Sequence, residues 1–356
     1  MDSSESAQAL GGSAHGEGVA RPPPRWVART PPLRHELLSS WLHRLALANG
    51  LKDQTFCRHM FGRQGIWTRD LDRSFSETNQ ATLGLWTGVS ATRIASMMLP
   101  RWAGRLSEDV NAHGNSDWIL PVGVFHRVRR RHGLLFCPVC LGDSPGDAYW
   151  PWRMAWSTAC IRHRVLLQDR CPRCESPYMP HRSAPSLFGR SPCATCGVDL
   201  SKSPFEQART DDWMFQERLQ SALLRGRTAI MGTPHFPLPL FLGLRALATA
   251  LLSRAGEELV HRLTGLPLPE PPSPRTKRDI ENQPLCVRRQ VMRALWPLLE
   301  DWPHQFRAHL RRGRARRWWF IWDRGSLPFW LQVEVDRLTL NYPPGPPLRI
   351  RRPLKD

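Results

Sequence analysis

The sequence predicts a mainly α fold with small zinc-ribbon-like modules: an N-terminal helix-turn-helix, a central double zinc-binding module and a C-terminal helical region. Three observations lead there. Eight ligand-type residues fall in four closely spaced pairs between Cys137 and Cys196, and apolar residues at three- and four-residue spacing flank that array on both sides. A hydrophobic fraction of 41%, with 16 Trp and 13 Phe, is ample for packed cores, and 356 residues permit two or three domains.

Residues 1–30 are rich in Ser, Gly, Ala and Pro, include Pro22-Pro23-Pro24 and show no apolar period, which predicts a disordered tail. Residues 31–115 read as a helical domain. Leu38, Trp41, Leu42, Leu45 and Ala48 describe an amphipathic helix closed by Gly50, and a short helix follows over 54–61. A helix over 80–86, the turn Thr87-Gly88-Val89-Ser90 and a helix over 91–99 form a helix-turn-helix. Gly88 supplies the positive φ, Val89 plugs the corner, Ser90 caps the second helix, and Ile94, Met97 and Met98 face inward. Thr92, Arg93 and Ser96 would then face outward, as candidates for base or phosphate contact.

Residues 116–205 hold the array. Cys137, Cys140, Cys160, His163, Cys171, Cys174, Cys193 and Cys196 fall as CxxC, CxxH, CxxC and CxxC. Two residues between ligands let a tight knuckle aim both side chains at one tetrahedral ion, and the longer gaps suit a hairpin or short helix returning to the same metal. Pairing in chain order gives two Zn2+ sites, one of three cysteines and His163, the other of four cysteines. An interleaved, cross-braced pairing is the alternative. Nine cysteines without an export signal argue against a disulfide framework. Four protein ligands leave no open position for water, so both sites read as structural. Cys57 and Cys286, outside the array, read as small buried hydrophobes in helices. The run Tyr149-Trp150-Pro151-Trp152-Arg153-Met154-Ala155-Trp156 reads as aromatic filler for modules with little core of their own.

Residues 206–356 read as a C-terminal helical domain with a basic, aromatic end. Trp213, Leu219 and Leu223 mark one helix, and 240–263 a long apolar helix or pair. A Pro-rich linker spans 264–275. A further periodic stretch over 287–310 should kink at Pro297 and Pro303.

Charge points to partners. The formal net charge is +19, and only Lys52, Lys202, Lys277 and Lys355 among the 50 basic residues are lysines. Arginine forks suit phosphate or carboxylate, although a GC-rich genome gives the same bias. Arg127, Arg129, Arg130 and Arg131 precede the first knuckle. Arg311, Arg312, Arg314, Arg316 and Arg317 join the C-terminal aromatics in a segment, 301–356, with 12 basic and 5 acidic side chains, net +7. Both runs are candidates for nucleic-acid or partner contact.

Several classes are excluded. None of the four lysines sits in a Gly-Lys-Ser/Thr loop, so no P-loop is present. Pro192-Cys193-Ala194-Thr195-Cys196 and His15-Gly16-Glu17 match the two halves of a nucleobase-deaminase signature, but Cys171 and Cys174 already partner that cysteine pair. Asp143, Asp147 and Asp169 make no DDE-nuclease set, so no enzyme is expected. The longest formally uncharged stretch, 228–244, contains Pro234, Pro237 and Pro239 and is too short to span a membrane. A bacterial cytoplasmic location is expected.

The motifs Pro31-Pro32-Leu33-Arg34-His35-Glu36-Leu37-Leu38-Ser39-Ser40-Trp41-Leu42, Thr87-Gly88-Val89-Ser90, Phe136-Cys137-Pro138-Val139-Cys140-Leu141, Tyr149-Trp150, Trp156, Cys160-Ile161-Arg162-His163, Leu166-Leu167 and Asp169-Arg170-Cys171-Pro172-Arg173-Cys174 resemble the TniQ/TnsD family of transposon target-selection proteins, over about residues 31–200. That resemblance implies a non-catalytic adaptor linking target DNA, or an RNA-guided CRISPR complex on which some members dock as homodimers, to a transposon AAA+ ATPase regulator. A stand-alone zinc-containing helix-turn-helix transcription regulator is the alternative.

Overall fold

A computed structural model of the chain describes residues 26–144, 147–182, 190–228, 232, 234–269, 279–320 and 327–339. Twelve α-helices and one two-stranded hairpin lie among them, with short 3₁₀ turns between.

The N-terminal unit is built on helical periodicity. Leu38, Trp41, Leu42 and Leu45 line one face of α1 (Leu38–Ala48) and are fully buried. They meet Phe56, Met60 and Phe61 of α2 (Asp53–Phe61), Leu71 of α3 (Leu71–Ser74), Leu83 of α4 (Glu77–Thr87) and Ile94 of α5 (Ala91–Ala95) in one apolar cluster. The helix corner forms as its residues predict. Gly88 takes φ 77° and donates to the Gly84 carbonyl, and the Ser90 hydroxyl accepts from the Arg93 N–H at 3.2 Å. Ile94, Met97 and Met98 are buried, and Val89 is partly buried against them.

Two expectations change here. The second helix of the corner stops at Ala95 instead of reaching residue 99: the Met97 and Met98 N–H groups turn back three residues to Ile94 and Ala95, Arg101 takes the Ser96 carbonyl, and Leu99, before Pro100, is disfavoured in the α-helical region. Residues 26–30, expected to belong to a disordered tail, are also packed on the N-terminal unit. Trp26 stacks on Phe56 at 4.5 Å, packs against Trp86, and donates its N–H to the Trp86 carbonyl, while Ala28 and Asn49 exchange two hydrogen bonds. Residues 1–25 lie outside the described residues.

A second core runs from the central module through the C-terminal helices, so the expected boundary near 206 does not divide two cores. The reason lies in the loop over 149–156. It carries Trp150, Trp152 and Trp156 inward, and the C-terminal helices bury their apolar faces against this region. α7 (Thr210–Arg225) presents Phe215, Leu219, Ala222 and Leu223, with Gln216 Oε1 accepting from the Thr158 and Ala159 N–H groups. Trp213 is off that face, its ring under the Arg164 guanidinium at 4.6 Å. The stretch over 240–263 is a pair, α8 (Pro237–Leu251) and α9 (Glu257–Thr264), joined through Gly256, where a Cβ would lie 2.1 Å from the Ala250 carbonyl oxygen. α10 (Leu285–Leu299) keeps Pro297 inside it, whereas Pro303 separates it from α11 (His304–Arg312) instead of kinking one long helix. α12 (Phe329–Val335) closes the described chain, and most of the expected Pro-rich linker, 270–275, lies outside the described residues.

The two cores are joined by buried charge. Arg153, fully buried, donates to both Asp70 carboxylate oxygens at 3.0 and 2.6 Å, to Asp72 at 3.2 Å and to the Leu120 carbonyl. Asp72 accepts in turn from the Ser39 N–H and hydroxyl, both at 2.8 Å. Burial pushes Asp70 up, but the charge and hydrogen bonds of Arg153 outweigh it and leave Asp70 below the usual carboxylate range. At Asp72, with Asp70 beside it, burial wins. Nearby, Glu36 accepts from Ser40 and from Arg44, and Arg44 also reaches Asp147 at 3.3 Å. No helix among the described residues is long and apolar enough to cross a membrane.

Candidate metal centres and basic surfaces

Three of the four ligand pairs build one repeated turn. The N–H of the residue following the second ligand donates to the carbonyl of the first: Arg164 to Cys160, Glu175 to Cys171, Gly197 to Cys193. The first ligand's own N–H then donates to the residue after that, at Val165, Ser176 and Val198. This closure requires a left-handed residue, and Arg164, Glu175 and Gly197 take φ of 58°, 58° and 75°. The remaining pair opens a helix instead. Cys137 is the N-cap of α6 (Pro138–Asp143), with its sulfur accepting from the Cys140 N–H at 3.4 Å.

Ligand atoms converge in chain order, not in the cross-braced alternative. Cys137, Cys140, Cys160 and His163 form one group, and Cys171, Cys174, Cys193 and Cys196 another, with the ligand atoms of each within 4.8 Å of one another. In the first, Cys140 and Cys160 sulfurs are 3.7 Å apart, and His163 Nδ1 lies 3.2 to 3.7 Å from the three sulfurs. In the second, Cys171 to Cys196 is 3.6 Å and Cys174 to Cys193 is 3.5 Å. Metal–sulfur bonds of about 2.3 Å at tetrahedral angles place sulfurs about 3.8 Å apart, so both clusters fit a zinc-sized ion. His163 offers Nδ1, and its Nε2 faces the Asp143 carboxylate at 3.1 Å, which fixes the tautomer with the proton on Nε2. Asp143 is itself held by Arg162 at 2.9 Å. That carboxylate was visible in the sequence only as a nearby acid.

The two centres adjoin. α6 of the first packs against the 3₁₀ turn Leu200–Lys202 that follows the second, and the Ser191 hydroxyl donates to the Leu141 carbonyl.

The candidate contact residues divide sharply. Thr92 is exposed, but Arg93 donates to the Leu33 carbonyl at 2.9 Å and Ser96 bonds back to Arg93, so the corner helix has one free polar side chain of the three. Arg129 is corrected from a surface contact to a buried residue: it is 6% exposed and donates to the Tyr178 carbonyl. The hairpin of β1 (Val124–Phe125) and β2 (Val128–Arg129) explains this: Arg129, within the strand, is sent inward to the Tyr178 carbonyl, while Arg127 in the turn and Arg130 and Arg131 beyond the strand are exposed. Arg130 lies over the Phe125 ring at 4.2 Å, and Arg131 donates to Asn282 Oδ1 at 2.9 Å. At the C-terminal end Arg311, Arg312 and Arg314 are exposed, while Arg316 bonds Thr339 and Arg317 pairs with Asp336 at 2.7 Å. Cys57 is buried as expected. Cys286 is exposed, a second correction, because it falls on the face of α10 opposite Val287 and Val291.

Residues 27–167 match the model of the TniQ family. The chain carries a TniQ domain. No curated protein matches the chain. The TniQ domain takes in the whole N-terminal unit and the first metal centre and ends at Leu167, so the second centre and the C-terminal helices lie beyond it. The domain implies a role in target selection for DNA transposition, in a family of non-catalytic transposition adaptors.

Proposed function

We propose that the chain is a zinc-stabilised adaptor that bridges target DNA, or an RNA-guided CRISPR complex, to a transposon AAA+ ATPase regulator. The TniQ match over residues 27–167 is the observation that carries this function. Each cluster, ligated wholly by protein side chains, holds one structural Zn2+ and supplies folding energy in place of chemistry. The exposed arginines of the β1–β2 hairpin and of residues 311–314 give the nucleic-acid-facing surface. The corner helix α5 contributes little to base reading, because it has five residues and its arginine is committed to the chain's own carbonyls. That same commitment argues against a stand-alone helix-turn-helix regulator.

The test is reconstitution with the element's ATPase and transposase on a target plasmid. Zinc-loaded protein is expected to co-purify with the ATPase and to concentrate insertions at one region. Random insertion at the same rate with and without the protein would refute the adaptor function.

A further inference from the structure

Where the zinc-region hairpin meets the start of α10 there is a cavity of about 930 Å³, lined by Arg130, Arg131, Arg170, Asn282, Arg288 and Arg289. Its acidic residues are already engaged: Asp169 is held by Arg170 at 2.8 Å, and Glu281 by Arg245 at 2.9 Å and by the Trp118 N–H. Among the described residues, no carboxylate comes within 4 Å of Arg130, Arg131, Arg288 or Arg289. Arg288 is 1% exposed. Its Nη1 donates to the Ala155 carbonyl at 3.0 Å, but its Nε has no acceptor, and neither do the buried Arg289 Nε and Asn282 Nδ2. Three buried donors without acceptors on residues that line the cavity, beside a buried cation whose nearby acid, Asp169, is already paired with Arg170, call for an anion rich in acceptor oxygens. Burial pushes the Arg288 guanidinium down to about 10, a cost that a bound anion relieves. The first-turn N–H groups of α10, at Leu285, Cys286 and Val287, have no intrahelical acceptors and add to the same field.

We propose that this cavity seats a backbone phosphate of single-stranded nucleic acid, with a neighbouring base on Phe125. An acidic peptide would use the guanidinium groups but not the ring. Phe125 is 51% exposed at the hairpin, its face within 4.2 Å of Arg130, which itself lines the cavity, and His126 stands edge-on beside it. A flat aromatic next to a phosphate-sized cationic wall is the arrangement that takes an unstacked base. The inference deepens the adaptor function and rests on it.

Cys286 makes the site testable, because it lies in the cavity wall and is exposed, whereas Cys57 is buried and the other seven cysteines belong to the clusters. N-ethylmaleimide labelling of Cys286 in the full-length, zinc-loaded protein is followed by mass spectrometry with and without saturating 15-mer oligothymidylate. The oligonucleotide is expected to slow labelling at least about fivefold, and Phe125→Ala to weaken its binding by at least about fivefold. The double variant Arg130→Gln/Arg131→Gln, at two exposed positions, should reduce the salt dependence of binding by about 1.4 in slope. Unchanged labelling, or equal protection by polyglutamate, would overturn the proposal. Loss of protection with nucleic acid still bound removes this pocket and leaves the adaptor. Full protection in a protein that fails to recruit the ATPase removes the adaptor and leaves the pocket.

Discussion

The two metal centres share ligand spacing and, at three of their four ligand pairs, turn geometry, but not surroundings. Cys137, Cys140 and Cys160 of the first are buried, in a shell with Leu141, Trp150 and Leu167 that belongs to the larger core. Of the second, Cys174 and Cys196 are only half-buried, and part of the loop between its halves, 183–189, lies outside the described residues. An ion of the same kind in each cluster would therefore support different amounts of structure. The first centre lies inside a core that also receives the C-terminal helices, while the second sits at the edge of that core, with Cys171 and Cys193 inside it and Cys174 and Cys196 toward solvent.

The largest expected effect follows from that contrast. Cys137→Ser should unfold the central module and the helices packed on it, because the zinc-binding energy that folds such sites is about 10–16 kcal/mol. Cys174→Ser should release one ion and leave the first centre and the N-terminal unit folded. Zinc content with far-UV circular dichroism and limited proteolysis separates the two, and equal damage from both would erase the distinction.

Next in size is the join between the cores. Arg153→Met leaves Asp70 and Asp72 buried together without the cation that bonds both, with only Arg73 at 3.9 Å from Asp70 and Arg129 farther off, an expected loss of about 3–5 kcal/mol in urea unfolding. A loss below about 1 kcal/mol would mean that this buried ion cluster does not hold the N-terminal unit to the metal-bearing module.

Asp143→Ala sharpens the comparison on the ligand side. It removes the carboxylate behind His163, and the affinity of the first centre should fall about 10- to 100-fold while the second is untouched. Competition with a chromophoric chelator reads this directly.

The smallest expected effect is a pH dependence at the same join. Burial, and then the nearby Glu36, push the Asp147 carboxyl up to about 6, with Arg44 opposing. The folded state therefore holds this proton more tightly than the unfolded chain. The associated stability is present below about pH 4 and is lost as pH rises through about 6. Asp147→Asn should remove that component, seen as a difference between the two proteins in urea midpoint across this range. A constant difference would assign the carboxyl an ordinary titration.

Much of the metal chemistry was legible in the sequence, because two-residue ligand spacing is a local property and the knuckle turn closes within six residues. The helix corner was legible for the same reason: Gly88 and Ser90 act on their immediate neighbours. What escaped depends on distant partners. Arg153 looked like one charge in an aromatic run, and only folding brings it to Asp70 and Asp72, about eighty residues upstream. Arg129 read as part of a basic surface until the hairpin turned it inward to the Tyr178 carbonyl. Apolar period marked the C-terminal helices correctly but could not say that their faces would meet the tryptophans over 149–156 as well as one another. Cys286 failed for a related reason, since residue type suggested burial while the helix phase set by Val287 and Val291 put it outside.

The unequal weight of the two centres is tested most directly by stepwise chelation of the zinc-loaded protein, followed in parallel by native mass spectrometry and hydrogen exchange. Two ions are predicted at the outset. The first to leave should deprotect only the ribbon around Cys171, Cys174, Cys193 and Cys196, and the second should collapse protection across the central module and the C-terminal helices. Loss of both ions in one step, or a metal-free protein that keeps its protection, would contradict the account.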